Sequence, residues 1–227
     1  MRFRWFDSRL PFSLRTMASR LKQHSYTQDR GSGFILQRVR DAFVEGSFAE
    51  RVQYADNLRD PFGNETTIVR EVYRNTDFTI SDETPTLELR DPPKSVQLFV
   101  NSLSEVSDFG MSISRLDVDP IAWMVSLQEA LGFRVLVDSM HLSKIDLGDG
   151  IAAKIVVSGP KDVRSAVREL TAKKKHVVER IGFRLNSSEN SMVKISLASM
   201  ASAKVDGSGA AEFSKVLRSS LAATVHR

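Results

Sequence analysis

Apolar residues recur at every second position in several segments of the last third of the chain, and this alternation restricts the fold more than any other feature. In "VVERIGFRL" the alternating apolar residues are Val177, Ile181, Phe183 and Leu185, and "SMVKISL" and "GIAAKIVV" repeat the pattern. Side chains on a strand point alternately to the two faces of its sheet. The pattern therefore predicts strands of a sheet with one buried apolar face and one exposed polar face.

The polar positions of these strands are basic. Lys154, Arg180, Arg184 and Lys194 fall on the face opposite the apolar residues, whereas Glu179 belongs to the other alternation set. Like charges on one sheet face repel each other unless water or a partner screens them. The alternation therefore predicts a basic face that no acidic residue of these three segments joins, suited to an anionic partner.

A lysine run, Lys173, Lys174 and Lys175, follows a helical pattern that begins near Pro160. Cations at the carboxyl end of a helix stabilise it by about 0.3–1 kcal/mol, which is a sufficient structural role. The run is also the beginning of a basic stretch that leads into Arg180 and Arg184. We therefore group the three lysines with Lys154, Arg180, Arg184 and Lys194 as candidate nucleic-acid-binding residues.

Charge is distributed unevenly along the chain, although the net charge is only +4. Residues 1–30 carry +5, residues 31–130 carry −8 and residues 131–227 carry +7. Such asymmetry indicates either a polyanionic partner or an oppositely charged protein surface.

Other local signals predict a strand at residues 2–6, a helix at residues 12–24 and a hairpin that turns at "RDPFGN", residues 59–64. A helix is predicted from the Asp119 cap and Pro120 to the stop at Gly132. The last third has the element order β-β-α-β-β-α, which resembles a ferredoxin-like sandwich in order alone. We therefore predict an α+β protein with a strand-rich N-terminal part at residues 1–118 and a basic ferredoxin-like sandwich at residues 119–227, or one continuous domain.

The sequence matches none of the catalytic or metal-binding patterns that we compared with it. It has no cysteine, its four histidines lack ligand spacing, and no apolar stretch is long enough to span a membrane. Asp117 and Asp119 could offer carboxylates to magnesium, but the cap before Pro120 explains Asp119. We predict no catalytic residue, no cofactor, no metal and no membrane partner.

These observations favour a non-enzymatic, cytoplasmic protein that binds the backbone of RNA or DNA, within a larger complex. An alternative is a structural or assembly subunit that docks through complementary acidic and basic faces. A third is a metal-dependent enzyme that acts on nucleic acid, with Asp117 as its candidate ligand.

Overall fold

A computed structural model describes residues 1–171, 174–186, 192–207 and 209–225, with only the backbone of residues 186 and 192. The protein divides into two compact units. Unit 1 combines Met1–Asp7 with Ser114–Arg227, and unit 2 is Ser8–Ile113.

The described residues form eleven β-strands, five α-helices and a short 3-10 helix at Ala210–Glu212. The elements up to residue 113 are β1 Arg2–Arg9, α1 Leu14–Gln23, β2 Ser32–Val39, β3 Phe43–Arg59, β4 Glu65–Ser81, β5 Leu87–Arg90, α2 Gln97–Val106 and the start of β6 Ser112–Arg115. Those that follow are α3 Pro120–Leu131, β7 Leu136–Gly148, β8 Ile151–Ser158, α4 Arg164–Thr171, β9 Val177–Asn186, β10 Met192–Ala198, β11 Ser202–Asp206 and α5 Phe213–Val225. None of the described helices has the length and apolar character needed to cross a membrane.

The predicted ferredoxin-like sandwich is wrong, although the protein does combine helices with an antiparallel sheet. The strands belong to one large sheet in the order β2-β3-β4-β5-β1-β11-β10-β9-β7-β8, with β6 pairing with β1 off this path. The strands of the last third therefore lie next to one another as part of this larger sheet.

Strand β11 explains much of the error. It has only five residues, and it pairs with β10 on one side and with β1 on the other. Arg2 lies opposite Lys204 across about two hundred residues of chain. No local pattern reports a pairing between such distant segments, since the contact gains its energy only after the chain has closed a long loop.

The core of unit 1 lies between one face of its sheet and the helices α3 and α5. Trp5 and Trp123 are fully buried and meet edge to face, with ring centroids 5.6 Å apart. The indole of Trp123 donates hydrogen bonds to the Leu217 carbonyl and the Ser220 hydroxyl, at 3.2 and 3.1 Å. These bonds satisfy the indole and join α3 to α5.

The predicted limits of α3 are confirmed. Asp119 Oδ1 accepts a hydrogen bond from the Ile121 amide at 2.9 Å, Pro120 is the first helical residue, and Gly132 ends the helix in a left-handed conformation. A left-handed residue after the last turn is the usual position for glycine.

Unit 2 has an aromatic core formed by Phe34, Phe48, Phe78 and Phe99, whose ring centroids lie 5.0–6.1 Å apart. The predicted hairpin at residues 59–64 is confirmed, and β3 and β4 are each 17 residues long. Their outer halves are exposed on both faces. We refer to residues 53–75 as the arm.

We expect Asp119→Ala to lower the free energy of unfolding by about 1 kcal/mol, because the mutation removes the cap of α3. Asp119→Asn should retain most of the stability, since its side-chain oxygen can also accept the hydrogen bond. Asp117→Ala is the matched control, because Asp117 is exposed and caps no helix. Urea unfolding would test the three variants, and equal stability of Asp119→Ala and wild type would show that the cap does not stabilise α3.

Candidate nucleic-acid interface

Four of the predicted cations lie together on the sheet face of unit 1 that points away from the helices. Arg184 is directly opposite Lys194 in the β9–β10 pairing, and Arg180 follows two rows along on the same face. On β8, Ala153, Ile155 and Val157 pack against the core, which directs Lys154 to the other side.

Three further cations extend this face beyond the predicted set. Lys204 lies on β11 opposite Ser196, and Arg2 lies opposite Lys204. Phe3 and Trp5 are buried, so Arg4 also points to this side. We define the basic face as Arg2, Arg4, Lys154, Arg180, Arg184, Lys194 and Lys204. The alternation of β1 could have revealed Arg2 and Arg4, but β11 was too short to be recognised.

A row of small residues crosses the middle of the basic face. Ser139, Gly182 and Ser196 are aligned on β7, β9 and β10, and Lys204 continues the row on β11. Arg184 and Lys194 occupy the next row on one side, and Arg180 lies on the other. Arg180 and Arg184 are four positions apart along β9, a distance of about 13 Å. The row is therefore a shallow trough with cations on both sides.

Gly182 keeps the middle of this row open. A Cβ at this position would lie 2.3 Å from Ser139 Oγ and 3.3 Å from Asp138 Oδ1, so a side chain here would require the Ser139 hydroxyl to move.

The prediction that no acidic residue of the three segments joins the basic face is wrong for Glu179, because a β-bulge changes the alternation of β9. Glu179 is the extra residue between the pairs that join His141 to Arg180 and Leu142 to Val178, and the bulge redirects its side chain to the polar face. The same shift leaves Val177, predicted to be buried, 43% exposed. A second carboxylate, Asp138 on β7, follows the buried Val137 and therefore faces the same side. It is the extra residue of a bulge between the pairs Val137–Phe183 and Ser139–Gly182.

Asp138 is only 6% exposed and contacts two members of the basic face. Its Oδ2 accepts a hydrogen bond from Arg184 Nε at 3.0 Å and forms an ion pair with Lys194 Nζ at 3.1 Å. The buried carboxylate holds the two cations side by side and reduces their repulsion.

Glu179 pairs with Lys154 at 2.5 Å, and the hydrogen bond from Lys154 is the main reason that the pKa of Glu179 is lowered. Lys204 pairs with Asp206 at 2.7 Å. Four cations of the face, Lys154, Arg184, Lys194 and Lys204, thus share three carboxylates, Asp138, Glu179 and Asp206, and the positive charge exceeds the negative. Arg180 is exposed and has no ion pair with any residue in the described ranges.

The lysine run is only partly described. Lys173 lies outside the described residues. Lys174 and Lys175 are exposed on the segment between α4 and β9, and the Lys174 carbonyl is bonded to His176 Nδ1. The Lys175 carbonyl accepts a bond from the Asp146 amide at 3.4 Å, near the end of the β7–β8 hairpin. These two lysines are not in the rows that flank the trough.

His141 lies opposite Arg180 in the β7–β9 pairing. Partial burial lowers the pKa of His141 below its usual value of 6.5, and the nearby Arg180 and Lys154 lower it further, whereas Glu179 opposes the effect. The imidazole is therefore sensitive to the charges of the basic face.

The basic face has few groups on which nucleobases can stack. Phe183 is the only phenylalanine, tyrosine or tryptophan between residues 136 and 206, and it is buried in the core. The strands β7 to β11 therefore present cations and small residues to a ligand.

The described residues contain no cluster of metal-binding side chains comparable to the cations of the basic face. In the described part of the chain, no three histidine or carboxylate side chains are placed to hold one metal ion.

No known protein-family model matches the sequence, and no curated protein matches it either.

We expect NMR titration to give His141 a pKa below 6.5, and Arg180→Gln to raise that pKa because it removes a nearby positive charge. Glu179→Gln should lower the pKa further. A change in the same direction in both variants would contradict the electrostatic assignment.

The same shift makes stability depend on pH. The folded protein binds the His141 proton less tightly than the unfolded chain does, so this residue lowers the free energy of unfolding as the pH falls below about 6.5. The loss of stability on acidification should therefore be smaller in His141→Gln than in wild type.

Proposed function

We propose that the protein is a non-enzymatic, cytoplasmic nucleic-acid-binding protein that contacts the phosphate backbone through its basic face and acts within a larger complex. The observation that supports this proposal most directly is the trough of small residues between cations.

The trough favours a single strand as the ligand. Its small residues lie on β7, β9 and β10, across two strand spacings or about 10 Å, and Lys204 and Arg2 continue the row over two more spacings on β11 and β1. A polynucleotide backbone laid along it would pass between the row of Arg184 and Lys194 and the row of Arg180, which the strand register continues to Arg4 on β1. It would reach Lys204 and Arg2 at the end of the trough. The small side chains of Ser139, Gly182 and Ser196 leave room for close approach.

Contacts of this kind neutralise phosphates and release counterions, so binding weakens steeply with salt. Sequence reading would require base-edge contacts or aromatic stacking. The strands β7 to β11 place no phenylalanine, tyrosine or tryptophan on this face, and Phe6, which follows Arg4 by two residues on β1, is half-buried. We therefore propose binding with little sequence preference and leave the choice between RNA and DNA to experiment.

We expect the Arg4→Gln/Arg180→Gln variant to bind a labelled single strand about tenfold more weakly than wild type at about 50 mM salt. The loss of two phosphate contacts should reduce the slope of log affinity against log salt by about 1.4. Fluorescence anisotropy with single-stranded RNA, single-stranded DNA and duplex DNA would measure both effects and rank the ligands.

Arg168→Gln/Lys215→Gln is the matched control, because it removes the same charge from exposed positions on α4 and α5. Asp138→Asn should act in the opposite direction and raise affinity by up to about fivefold, the effect of one charge about 4 Å away in water. Equal losses in the two double variants would contradict the basic face as the interface, and no binding by wild type at low salt would contradict the proposed function.

A second candidate function, that of an assembly subunit, is favoured by the arm. Leu58 and Ile68 on one face of the arm are 53% and 49% exposed, and Phe62 at its tip is 90% exposed. Asp56 lies on the same face, directly opposite Ile68, and pairs with Arg70 at 3.5 Å, and Arg74 pairs with Glu50 at 3.7 Å. Val69 and Tyr73, which are 61% and 54% exposed, lie on the other face of the arm. A two-stranded ribbon with exposed apolar side chains is usually stabilised by covering them.

If the arm mediates assembly, the mass in solution should exceed one chain at both low and high salt, because apolar contacts are not screened by ions. Leu58→Lys/Ile68→Lys should then be monomeric, whereas Gln53→Lys/Asn57→Lys, with the same charge change on the other face of the arm, should assemble as wild type does. Light scattering after size exclusion would decide, and a monomeric wild type would reject this candidate. An assembly that dissociates in high salt would instead support docking through complementary charged faces.

A further inference from the structure

A cavity lies on the helix side of the unit 1 sheet, between α3, β7 and α4. We propose that it binds a small organic anion with an apolar body. The cavity has a volume of about 610 Å³, within the range of roughly 300–1,000 Å³ typical of small-molecule sites. We refer to it as the α4 pocket.

The pocket has an apolar floor and wall. Met140 of β7 and Val167 of α4 are almost fully buried and line it from the sheet and the helix. Ile121 of α3 also lines it and remains 37% exposed. A ligand with an apolar body would cover this aliphatic side chain, which is favourable in proportion to the apolar area removed from water.

Polar groups converge on the same space from α4 and from the segment that follows it. Arg168, Ser165 and His176 all line the pocket. Arg168 is exposed and has no ion pair within the described ranges. The Nδ1 atom of His176 donates a hydrogen bond to the Lys174 carbonyl at 2.9 Å, so Nε2 of the neutral ring is an acceptor that can receive a hydrogen bond from a donor group of the ligand.

The acid in the pocket is already neutralised. Asp162 receives hydrogen bonds from Arg164 Nε and Nη2, at 2.7–3.1 Å, and the bond from Arg164 is the main reason that its pKa is lowered. The charge that remains for a ligand is the positive charge of Arg168, and the exposed Lys174 and Lys175 lie close to His176 in the chain. An anionic group is therefore the complement of this pocket.

This site is separate from the basic face. Met140 belongs to the buried core, whereas the trough lies on the opposite face of the same sheet. A ligand in the α4 pocket would therefore not compete directly with nucleic acid in the trough, and the two activities can be tested independently.

The probe for the experiment is 8-anilinonaphthalene-1-sulfonate, which joins an aromatic body to one sulfonate. Its neutral relative N-phenyl-1-naphthylamine has the same aromatic body and no charge. Titration calorimetry of the wild-type chain should show one saturable sulfonate site per chain, and the neutral probe should bind about tenfold more weakly because it lacks the charge-assisted contact.

Two variants and one control locate the probe. Arg168→Glu should weaken sulfonate binding about tenfold or more, and Ser165→Trp should abolish it by filling the pocket from an exposed position of α4. Lys161→Glu carries the same charge change as Arg168→Glu but does not line the pocket, and should change the affinity less than about twofold. Thermal unfolding would establish that all three variants remain folded.

Sulfonate binding that is unchanged in both Arg168→Glu and Ser165→Trp would overturn the proposal, as would the absence of saturable binding to wild type. Equal affinity for the two probes would overturn the requirement for an anion. Single-strand binding should be unchanged in Ser165→Trp, so a failure of this site is distinguishable from a failure of the proposed nucleic-acid interface.

Discussion

Unit 1 depends on the burial of one face of its antiparallel sheet against α3 and α5. Ile181, Phe183 and Ile195 are fully buried there, and the removal of such side chains from water is the main favourable contribution to folding. Once these positions face inward, their neighbours Arg184 and Lys194 must face outward, since successive side chains on a strand alternate. The basic face is thus the other side of the hydrophobic core, and a one-residue slip of register would exchange the two.

The two bulges then adjust the charge of that face. Each inserts one residue into a strand, and each inserted residue is a carboxylate, Asp138 on β7 and Glu179 on β9. Asp138 lies nearly buried between Arg184 and Lys194, where its charge offsets their mutual repulsion. Arg180 lies outside these pairs and is exposed. The face therefore keeps a positive character without placing its cations against one another.

The sheet also separates two surfaces of different chemistry. The basic face is flat, polar and wide enough for an extended chain, whereas the α4 pocket is concave, has an apolar floor and has room for a small molecule. The arm of unit 2 is different again, because it exposes apolar side chains and pairs Asp56 with Arg70 and Glu50 with Arg74. Each surface favours a different class of ligand for the same physical reason, which is that shape and unpaired charge determine what can replace water there.

The sequence by itself determined the local features of this protein. The alternation in β9 and β10 identified Arg180, Arg184 and Lys194 as neighbours on one face, and the cap at Asp119 located α3, because these signals come from adjacent residues. The tertiary structure alone decided the position of β11 between β10 and β1, which joins Lys204, Arg2 and Arg4 to the face and contradicts the predicted ferredoxin-like sandwich. It also decided the side to which Glu179 points, since a bulge is a mismatch between two paired strands. Such a mismatch depends on which strands pair and in what register, and these long-range pairings have no signal in either strand alone.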